Sequence, residues 1–349
     1  MAQQAKIKAA IIGASGYTGA DLIRLAANHP GLKITHLTAG KHAGQTLAEV
    51  FPHLAGLNMP DISATQDVDW SGIDAAFCGL PHGTSQDVIS ALPSHLKIID
   101  LSADFRLRDT GVYADTYGHA HKAPDLQNKA VYGLTEFYRD DISKAALVAC
   151  PGCYPTAALL GLLPLVGQDL IDADDIVIDA KSGASGAGRK VIQSMLFCEV
   201  AEAMHPYSVG THRHAPEIEQ ELSREAGRPL IVSFTPHLIP MNRGELLTAY
   251  VRVNKGVSAD DLRAALSARY RQEPFVRVVE KHAAPGTRAV RGSNTCLIGV
   301  FEDRVPGRAI LISTLDNLVK GSSGQALQNF NLMFGFEETC GLTQQPLFP

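Results

Sequence analysis

The chain contains a single tryptophan, and aromatic residues make up only 6% of its 349 positions. It also lacks an excess of basic residues, because 31 Lys and Arg are outnumbered by 36 Asp and Glu, which gives a formal net charge of −5. Proteins that bind nucleic acids through phosphates normally carry a basic stripe, so no nucleic acid partner is expected. No apolar run approaches the roughly 20 residues of a membrane-spanning helix, so no membrane partner is expected.

Cysteine is sparse, with six residues scattered along the chain. The N-terminal sequence MAQQAKIKAAIIGASG does not have the layout of a secretory signal, because its apolar run is short and leads into a glycine-rich turn. These two features predict a cytoplasmic protein whose thiols are mostly reduced. The length, together with a hydrophobic content of 45%, predicts two domains with sizeable cores.

A glycine turn near the N-terminus lies between a strand pattern and a helix pattern. Lys6–Ile12 (KIKAAII) is typical of a short buried strand, and apolar residues at helical spacing follow GASGYTG. Such a turn binds the pyrophosphate of a dinucleotide through its amides and the helix N-terminus. The spacing is G-x-x-G-x-x-G instead of the commoner G-x-G-x-x-G, and a tight turn without a ligand is the alternative. The predicted cofactor contacts are Gly13, Ser15, Gly16, Tyr17, Thr18 and Gly19.

A second strand, LKITHL, runs into the sequence TAGKHAG, which spans residues 38–44. NAD sites usually place an Asp or Glu here to bind the ribose 2′-hydroxyl, and this segment has neither. Lys41 offers a cation for a 2′-phosphate, so the sequence favours NADP(H) as the cofactor, with Thr38 and Lys41 as contacts. A solvated loop lysine is the alternative for Lys41.

Strand and helix patterns continue to alternate up to about residue 150, which indicates an α/β domain with a Rossmann-type, doubly wound parallel sheet. Ligands of such sheets bind beyond the carboxyl ends of the strands. The sequence therefore predicts cofactor contacts at Leu80, Pro81 and His82, and substrate contacts at Ser102 and Arg106. For His82, a purely structural loop position is an equally good interpretation.

The segment VACPGCYPTAALLGLLPL contains two cysteines, Cys150 and Cys153, separated by two residues. They form a redox pair, half of a zinc site, or one nucleophile with an inert neighbour. A zinc site needs further ligands, and no second C-x-x-C exists. A helix pattern begins just after the PGC turn, so the helix dipole and unpaired amides favour a Cys153 thiolate. The sequence thus favours Cys153 as the nucleophile of thioester chemistry, with Cys150 buried and no metal bound.

From about Asp174, apolar and β-branched segments predict an α+β domain on an antiparallel sheet, with one clear helix at SADDLRAALSARY. A loop of small residues interrupts this region at Ser182–Gly188.

Two histidines flank an arginine in the segment THRHAPEIEQEL. Pro216 and the acidic residues after it indicate a helix start, so both histidines are expected in an extended segment before the helix. His212 and His214 are the candidates for the general acid/base, with a slight preference for His212; Arg213 is a candidate cation for the substrate, and Glu217 a candidate orienting carboxylate. Loop histidines without a catalytic role are the alternative.

The chain resembles the N-acetyl-gamma-glutamyl-phosphate reductase family over nearly its whole length. The strongest match is VACPGCYPTAALLGLLP, and further matches are GASGYTG, EVFPHL, LPHG, DLSADFRL, SGASGAGRK, HRHAPEIEQEL and LDNLVKGSSGQALQN. The wider group includes aspartate-semialdehyde dehydrogenase and, more distantly, glyceraldehyde-3-phosphate dehydrogenase.

The resemblance implies NADPH-dependent reduction of N-acetyl-L-glutamyl 5-phosphate, a small-molecule substrate, to the 5-semialdehyde in arginine biosynthesis. It assigns the nucleophile to Cys153 and the proton carrier to the HRH segment. It also implies cofactor contacts at Ser182, Gly183, Ser185, Gly186 and Asn317. It also implies a Rossmann domain at residues 1–152, completed by a C-terminal helix in residues 318–349. A glyceraldehyde-3-phosphate-dehydrogenase-like catalytic and oligomerisation domain follows at residues 153–317, in a homodimer or homotetramer.

One segment departs from the family. Many members carry Thr-Ser-Arg after the second strand, and this chain has Thr38, Ala39 and Gly40. Lys41 then replaces the missing arginine at the 2′-phosphate. Two other functions stay open: reduction of a related acyl phosphate, such as aspartyl phosphate or a carrier-linked glutamyl phosphate, and a non-catalytic NADP-binding sensor.

Overall fold

A computed structural model describes residues 6–347 of the chain. Its internal contacts divide the chain into two compact units. The first unit consists of Met1–Pro151 and Ser322–Thr343, and the second of Gly152–Gly321 and Gln344–Pro349. Each unit is built on a seven-stranded sheet.

The sheet of the first unit is entirely parallel, in the order β3-β2-β1-β4-β5-β7-β6. Strand order reverses at β1, which is the point where doubly wound sheets bind their ligands. The predicted Rossmann-type sheet is therefore confirmed. Its strands are β1 (Ile7–Ile12), β2 (Leu32–Thr38), β3 (Ile62–Ser63), β4 (Ala75–Cys78), β5 (Lys97–Asp100), β6 (Val131–Tyr132) and β7 (Leu147–Ala149).

Helices cover both faces of such a sheet, so its central strands read as continuous apolar runs. All four residues of β4 are buried, as are the last four of β1. The helices of residues 6–151 are α1 (Tyr17–Ala26), α2 (Leu47–Val50), α3 (Ser85–Ala91), α4 (Thr110–Tyr117), α5 (Pro124–Gln127) and α6 (Thr135–Lys144).

The described residues of the second unit form four α-helices. Helix α7 is apolar on every side and is buried from its second residue to its fourteenth, as expected for a helix enclosed by other elements. It packs against α9, α10 and the sheet. The helices are α7 (Cys153–Gly167), α8 (Phe197–Val200), α9 (His214–Ala226) and α10 (Ala259–Tyr270).

The sheet of the second unit has the order β12-β13-β14-β11-β8-β10-β9. It is mixed, and the prediction of an antiparallel sheet was wrong in this respect: β10 runs parallel to β8, and β12 runs parallel to β13. Both pairs are joined by long connections, which allow the chain to cross back and re-enter in the same direction. The strands are β8 (Ile171–Gly183), β9 (His205–Pro206), β10 (Ser233–Ile239), β11 (Glu245–Val253), β12 (Val276–Val278), β13 (Cys296–Glu302) and β14 (Arg308–Leu315).

A last helix, α11 (Gly324–Met333), returns to the first unit and packs against α6, α1 and β5. Its apolar residues Ala326, Leu327 and Phe330 are fully buried. Its polar residues are buried too, because they are hydrogen-bonded: the Asn329 amide donates to the carbonyl oxygen of Gly133 at 2.9 Å. Among the described residues, no helix has both the length and the apolar character needed to span a membrane.

Candidate active site

The glycine turn of the first unit joins β1 to α1 at the switch point of the sheet. The carbonyl oxygen of Thr38, at the end of β2, accepts hydrogen bonds from the amides of both Gly13 and Ala14 at 2.9 Å. No side chain caps the N-terminus of α1, and its first turn contains no acidic residue. The amides of this first turn and the positive end of the helix dipole therefore suit an anion such as a pyrophosphate.

The three glycines of the turn fit a bound dinucleotide for different reasons. Gly13 has φ +86°, and a Cβ there would lie 2.3 Å from the carbonyl oxygen of Gly79. At Gly19 a Cβ would lie 2.6 Å from the carbonyl oxygen of Ala14, so this glycine lets the helix approach the strand. A Cβ at Gly16 would meet nothing closer than 3.6 Å, which leaves the space that a phosphate needs at this point.

The other predicted residues of the turn lie around the start of α1. The Thr18 hydroxyl lies 3.4 Å from the Ser322 hydroxyl, and the Thr18 carbonyl accepts a hydrogen bond from Ser323 at 2.9 Å. Ser15 is partly buried and Tyr17 is 39% exposed. The segment that leads into α11 thus holds the backbone at the start of α1 in place.

The loop after β2 carries the residues predicted to select NADP. The Thr38 side chain is buried and hydrogen-bonded to the Thr65 hydroxyl at 3.0 Å. A contact of Thr38 with the cofactor would therefore be made by its backbone. Lys41 lies in the following turn with an exposed side chain, as a 2′-phosphate ligand requires.

The loop after β4, which contains Leu80, Pro81 and His82, is positioned by a buried carboxylate. Leu80 is partly buried, Pro81 and His82 are exposed, and the His82 ring lies 5.6 Å from the Tyr117 ring. The Asp104 carboxylate accepts hydrogen bonds from the Gly83 amide at 2.8 Å and from the Ser85 hydroxyl at 2.7 Å.

Ser102 belongs to the same network. Its hydroxyl donates to the Asp100 carboxylate at 2.7 Å and lies 2.7 Å from the Ser85 hydroxyl, and the residue is 5% exposed. Arg106 is 8% exposed and donates to the carbonyl oxygen of Leu101 at 3.1 Å. Both residues are buried and help to hold this loop, and their predicted role as substrate contacts stays a prediction.

Cys153 is the first residue of α7, with Gly152 as the N-cap, and no side chain caps the helix. Its side chain is partly exposed. The buried carboxylate of Glu217 accepts a hydrogen bond from the Gly152 amide at 2.8 Å. On the other side, a Cβ at Gly321 would lie 2.7 Å from the Cys153 Cβ, so only glycine allows this approach. Glu217 therefore orients the turn before Cys153. That Glu217 also orients a histidine stays a prediction.

The two histidines lie beside the cysteine helix. The rings of His212 and His214 are 4.8 Å apart, and each lies 5.7 Å from the ring of Tyr154, the residue after Cys153. The structure therefore brings both near the start of α7. The prediction that both precede the helix was wrong for His214, which is the first residue of α9; Arg213 is its exposed N-cap.

The protonation of His212 follows from its surroundings. Burial, aided by the charge of Arg213, lowers the pKa of His212 to about 4. Its Nδ1 accepts a hydrogen bond from the backbone amide of His214 at 3.1 Å. At neutral pH the ring is therefore uncharged, with its proton on Nε2.

Cys150 differs from Cys153 in every relevant respect. It is fully buried in the first unit, where the Asn329 amide lies 3.6 Å from its sulfur. Burial raises the pKa of its thiol to about 12. Neither cysteine is in a disulfide. These properties favour an inert Cys150, and no group of three His, Cys, Asp or Glu side chains in residues 6–347 is arranged to hold a metal ion.

The loop of small residues, Ser182–Gly188, packs against the start of β11. Ser182 and Gly183 are buried, and a Cβ at Gly183 would lie 2.8 Å from the Met241 carbonyl oxygen. The Asn317 side chain bridges the two segments: it donates to the Ser185 hydroxyl at 2.9 Å and accepts from the Gly244 amide at 2.8 Å. Gly186 is exposed, so the loop presents backbone to a ligand at that end.

Two features of the second unit were missed in the sequence. The first is an open depression lined by Met241, Asn242, Arg243, Thr287, Arg288 and Arg291. The guanidinium groups of Arg288 and Arg291 suit an anionic substrate, while that of Arg243 lies 3.3 Å from the buried Asp316 carboxylate. The second is Glu245, the first residue of β11, which is 0% exposed. The alternation of ELLTAYVRV contains a signal for it, because a period of two puts Glu245 on the same face as the buried Leu247 and Ala249.

Family comparisons agree with the two-unit division of the chain. The model for the NAD binding domain of semialdehyde dehydrogenase matches residues 8–145, and the model for the dimerisation domain of semialdehyde dehydrogenase matches residues 153–317.

Individual relatives are close in sequence or in fold. An N-acetyl-gamma-glutamyl-phosphate reductase of Rhodospirillum rubrum is 59% identical over 99% of both chains. Aspartate semialdehyde dehydrogenase II from Vibrio cholerae shares the fold, with a TM-score of 0.72 at 16% identity over 95% of this chain and 99% of that one. The Candida albicans aspartate semialdehyde dehydrogenase, solved with NADP, has a TM-score of 0.66 at 15% identity over 95% and 99%. The resemblance is thereby confirmed, and the chain belongs to the N-acetyl-gamma-glutamyl-phosphate reductases of the semialdehyde dehydrogenase family.

Proposed function

We propose that this protein catalyses the NADPH-dependent reduction of N-acetyl-L-glutamyl 5-phosphate to N-acetyl-L-glutamate 5-semialdehyde, with release of phosphate, as a step of arginine biosynthesis. The observation that carries the proposal is the environment of Cys153. This accessible thiol begins a buried, uncapped helix, its backbone is held by Glu217, and two histidine rings flank the next residue. The name and high identity of the Rhodospirillum rubrum relative support the choice of substrate.

Cys153 acts as the nucleophile. The dipole and free amides at the start of α7 favour the thiolate, which attacks the acyl carbon. A carbon–sulfur bond forms, the carbon–oxygen bond to phosphate breaks, and a thioester remains on the enzyme. Arg288 and Arg291 of the depression and the exposed Arg213 supply positive charge for the phosphate or the substrate carboxylates, while Arg243 is paired with Asp316.

The glycine turn, with Ser15, Tyr17 and Thr18, would hold the pyrophosphate of the dinucleotide. A dinucleotide held there would supply the hydride that reduces the thioester to the aldehyde. Lys41 binds the 2′-phosphate and so favours NADPH over NADH. In the first unit, the loop at Leu80–His82 is a further proposed cofactor contact. In the second unit, the proposed cofactor contacts at Ser182–Gly186 would be made by the backbone, because the side chain of Asn317 is already bonded to Ser185 and Gly244.

The two histidines take different roles. His212 is neutral and donates its Nε2 proton as a hydrogen bond to the substrate carbonyl oxygen, where negative charge develops. A base with a pKa of about 4 accepts protons poorly at neutral pH, so we assign proton transfer to His214. This reverses the slight preference for His212 drawn from the sequence. His214→Asn should remove a limb of the pH–rate profile, and His212→Asn should lower kcat without removing one.

The experiment that tests the function is the reverse reaction. The protein is given N-acetylglutamate semialdehyde, phosphate and either NADP⁺ or NAD⁺, and the reduced nicotinamide is followed by absorbance. We expect a phosphate-dependent signal that is larger with NADP⁺ and lost after iodoacetamide treatment. A signal with aspartate semialdehyde alone would overturn the substrate, and cofactor binding without any turnover would favour the non-catalytic sensor.

The protein is also proposed to work as a homodimer or homotetramer in the cytoplasm. The match of residues 153–317 to a dimerisation domain supports the first statement. The second is supported by six cysteines that form no disulfide.

A further inference from the structure

Two loops at the carboxyl end of the first sheet are joined by four buried side chains that contact one another in sequence. Asp100, the last residue of β5, contacts Ser102 in the loop after β5. Ser102 contacts Ser85, the first residue of α3, and Ser85 contacts Asp104, again in the loop after β5. Each of the four residues is at most 5% exposed, so their polar groups must satisfy one another.

The three contacts between these side chains all have the length of a hydrogen bond. Oδ2 of Asp100 lies 2.7 Å from the Ser102 hydroxyl, which lies 2.7 Å from the Ser85 hydroxyl. The Ser85 hydroxyl lies 2.7 Å from Oδ2 of Asp104. Two oxygens at this separation normally share a proton. Three contacts therefore need three protons, whereas the two serine hydroxyls supply one each.

The remaining donors indicate which carboxyl group holds the third proton. Asp104 is satisfied as an anion by four donors: the amides of Gly83 and Ser85, and the hydroxyls of Ser85 and Tyr113. Within residues 6–347, the one donor to Asp100 besides the Ser102 hydroxyl is the Ser102 amide, at 3.0 Å. With a proton on Asp100, each side chain donates to the next, and the hydrogen-bond chain ends on the Asp104 carboxylate.

We propose that a proton on Asp100 completes this hydrogen-bond chain at neutral pH and thereby holds the loop after β4 against the loop after β5. When the proton is lost, Ser102 donates to the Asp100 carboxylate instead, and the two serine oxygens face each other without a hydrogen between them. The two loops then separate. The loop that contains Leu80–His82 is held less firmly, because its amide at Gly83 is bonded to Asp104 in the other loop. Asp100 is therefore a positioning residue.

Burial gives Asp100 the proton affinity that this role needs. It raises the pKa of the Asp100 carboxyl group from 3.8 to about 7, and the hydrogen bonds from Ser102 oppose this shift only in part. The negative charge of Asp104 adds to the rise, and the positive charge of Arg106 opposes it. Asp100 is thus protonated below about pH 7 and ionised above it, so the hydrogen-bond chain breaks as pH rises.

The neighbouring strands present two thiols to Asp100. Cys78 pairs with it from β4, and Cys150 directly follows Ala149, its partner in β7. Burial raises the pKa of Cys150 to about 12 and that of Cys78 well above its ordinary value, so both thiols stay neutral. Helix α11 packs against β5 as well, and no residue from Gly324 to Met333 has a titratable side chain. The titration near pH 7 therefore belongs to Asp100.

Infrared spectroscopy tests the proton directly, because a protonated carboxyl group and a carboxylate absorb at different frequencies. The full-length protein is scanned without cofactor from pH 5 to pH 9. We expect a protonated-carboxyl band that disappears with a midpoint near pH 7 in the wild type and is missing from Asp100→Asn. Buried Glu245 contributes a band of its own, so the difference between the two proteins is what counts. Identical bands in both proteins at pH 5 would overturn the proposal.

Hydrogen exchange tests whether the proton holds the loops. The amides of Gly83 and Ser85 donate to Asp104, so the peptide that carries them reports on the contact. Asparagine at position 100 keeps a donor at every pH. At pH 8 this peptide should exchange at least about fivefold faster in the wild type than in Asp100→Asn, the equivalent of one hydrogen bond of about 1 kcal/mol. At pH 6 the two proteins should exchange alike. Equal exchange at pH 8 would overturn the proposal.

Two further variants control for the substitution and for folding. Asp87→Asn is the same change in the helix that Ser85 begins, but Asp87 lies at the surface and pairs with Lys122. It should keep the wild-type band and exchange. Where Asp100→Asn does not fold, Ser102→Ala interrupts the hydrogen-bond chain instead, so the peptide should exchange faster than in the wild type already at pH 6. Wild-type exchange in that variant at pH 6 would overturn the proposal.

The consequence for cofactor binding rests on the proposed function, in which the loop at Leu80–His82 contacts NADPH. Between pH 6 and pH 8 the NADPH Kd, measured by fluorescence titration, should rise at least about fivefold more in the wild type than in Asp100→Asn. The same rise in both proteins would overturn the link between Asp100 and the cofactor. A wild type that binds no NADPH would refute the proposed function alone, because the infrared band and the exchange rates do not depend on cofactor.

Discussion

Two buried carboxylates, Asp104 in the first unit and Glu245 in the second, are both 0% exposed and yet have opposite surroundings. Asp104 accepts hydrogen bonds from the amides of Gly83 and Ser85 and from the hydroxyls of Ser85 and Tyr113. Neither oxygen of Glu245 has a hydrogen-bond partner among the described residues. A buried carboxylate with several donors stabilises the loops that carry them, whereas burial without donors favours the protonated, neutral carboxyl group.

The same contrast separates the two units as a whole. In the first, the buried polar groups of Asp100, Ser102 and Asp104 bond to each other and shape the loops at the end of the sheet. In the second, the Glu217 carboxylate and the rings of His212 and His214 lie around the start of α7, where Cys153, the proposed nucleophile, begins the helix. We therefore expect the first unit to bind the cofactor and the second unit to carry the reacting cysteine.

The largest effect is expected from removing the nucleophile. Cys153→Ala should lower kcat by at least about 10⁴-fold, because no other group can form the thioester. NADPH binding to the glycine turn should be unchanged, which fluorescence titration measures. Cys150→Ser is the matched control and should retain most activity. Complete loss of activity in that variant would support a redox pair.

Removal of the satisfied carboxylate should damage folding. Asp104→Ala leaves four donors without an acceptor, so we expect a loss of about 3–5 kcal/mol in the free energy of unfolding. Urea denaturation of the variant and the wild type measures the difference. A loss below about 1 kcal/mol would contradict the view that Asp104 holds the loops together.

Replacement of Glu245, the carboxyl group without hydrogen-bond donors, should raise the free energy of unfolding at high pH, which is the opposite sign from Asp104→Ala. The folded pKa of Glu245, about 8, lies above the unfolded value of 4.5. Between these two pKa values the folded state holds a proton that the unfolded state has released. The free energy of unfolding therefore falls as pH rises through this window. Between pH 6 and pH 8 this amounts to about 2 kcal/mol. Glu245→Gln should abolish this part of the pH dependence, as measured by urea denaturation. An unchanged slope would contradict the raised pKa.

The smallest effect is expected at the rim of the first unit. Lys41→Ala removes one exposed cation, so the KM for NADPH should rise by roughly 3–10-fold while that for NADH stays constant. Steady-state kinetics with both cofactors measure this. Equal changes for the two cofactors would show that Lys41 does not contact the 2′-phosphate.

The fold was predictable from the sequence where local patterns and context agreed. The apolar run of β1, the glycine turn and the periodicity of α1 predicted the parallel sheet, which is confirmed. The mixed character of the second sheet was not predictable, because strand direction depends on long connections whose path leaves no local pattern. The start of α9 was placed too late, since Pro216 marks the first turn of a helix as often as its beginning.

The candidate site was predictable only where a residue type is chemically conspicuous. Cys153 and the histidines were found because thiols and imidazoles are rare and reactive. Glu245 was missed because a glutamate at the head of a strand resembles any exposed charge, and its significance arises from burial between β8 and β14. Ser102 and Arg106 follow the end of β5, as the sequence predicts. The sequence alone cannot distinguish a hydroxyl that faces a ligand from one that, like that of Ser102, donates to Asp100.

The most direct measurement traps the intermediate. The protein is mixed with N-acetylglutamyl phosphate in the absence of NADPH, quenched with acid and digested, and the peptides are weighed by mass spectrometry. We predict one equivalent of released phosphate and an N-acetylglutamyl group on Cys153, both absent in Cys153→Ala. Phosphate release without any acylated cysteine peptide, or no reaction at all, would contradict the thioester mechanism.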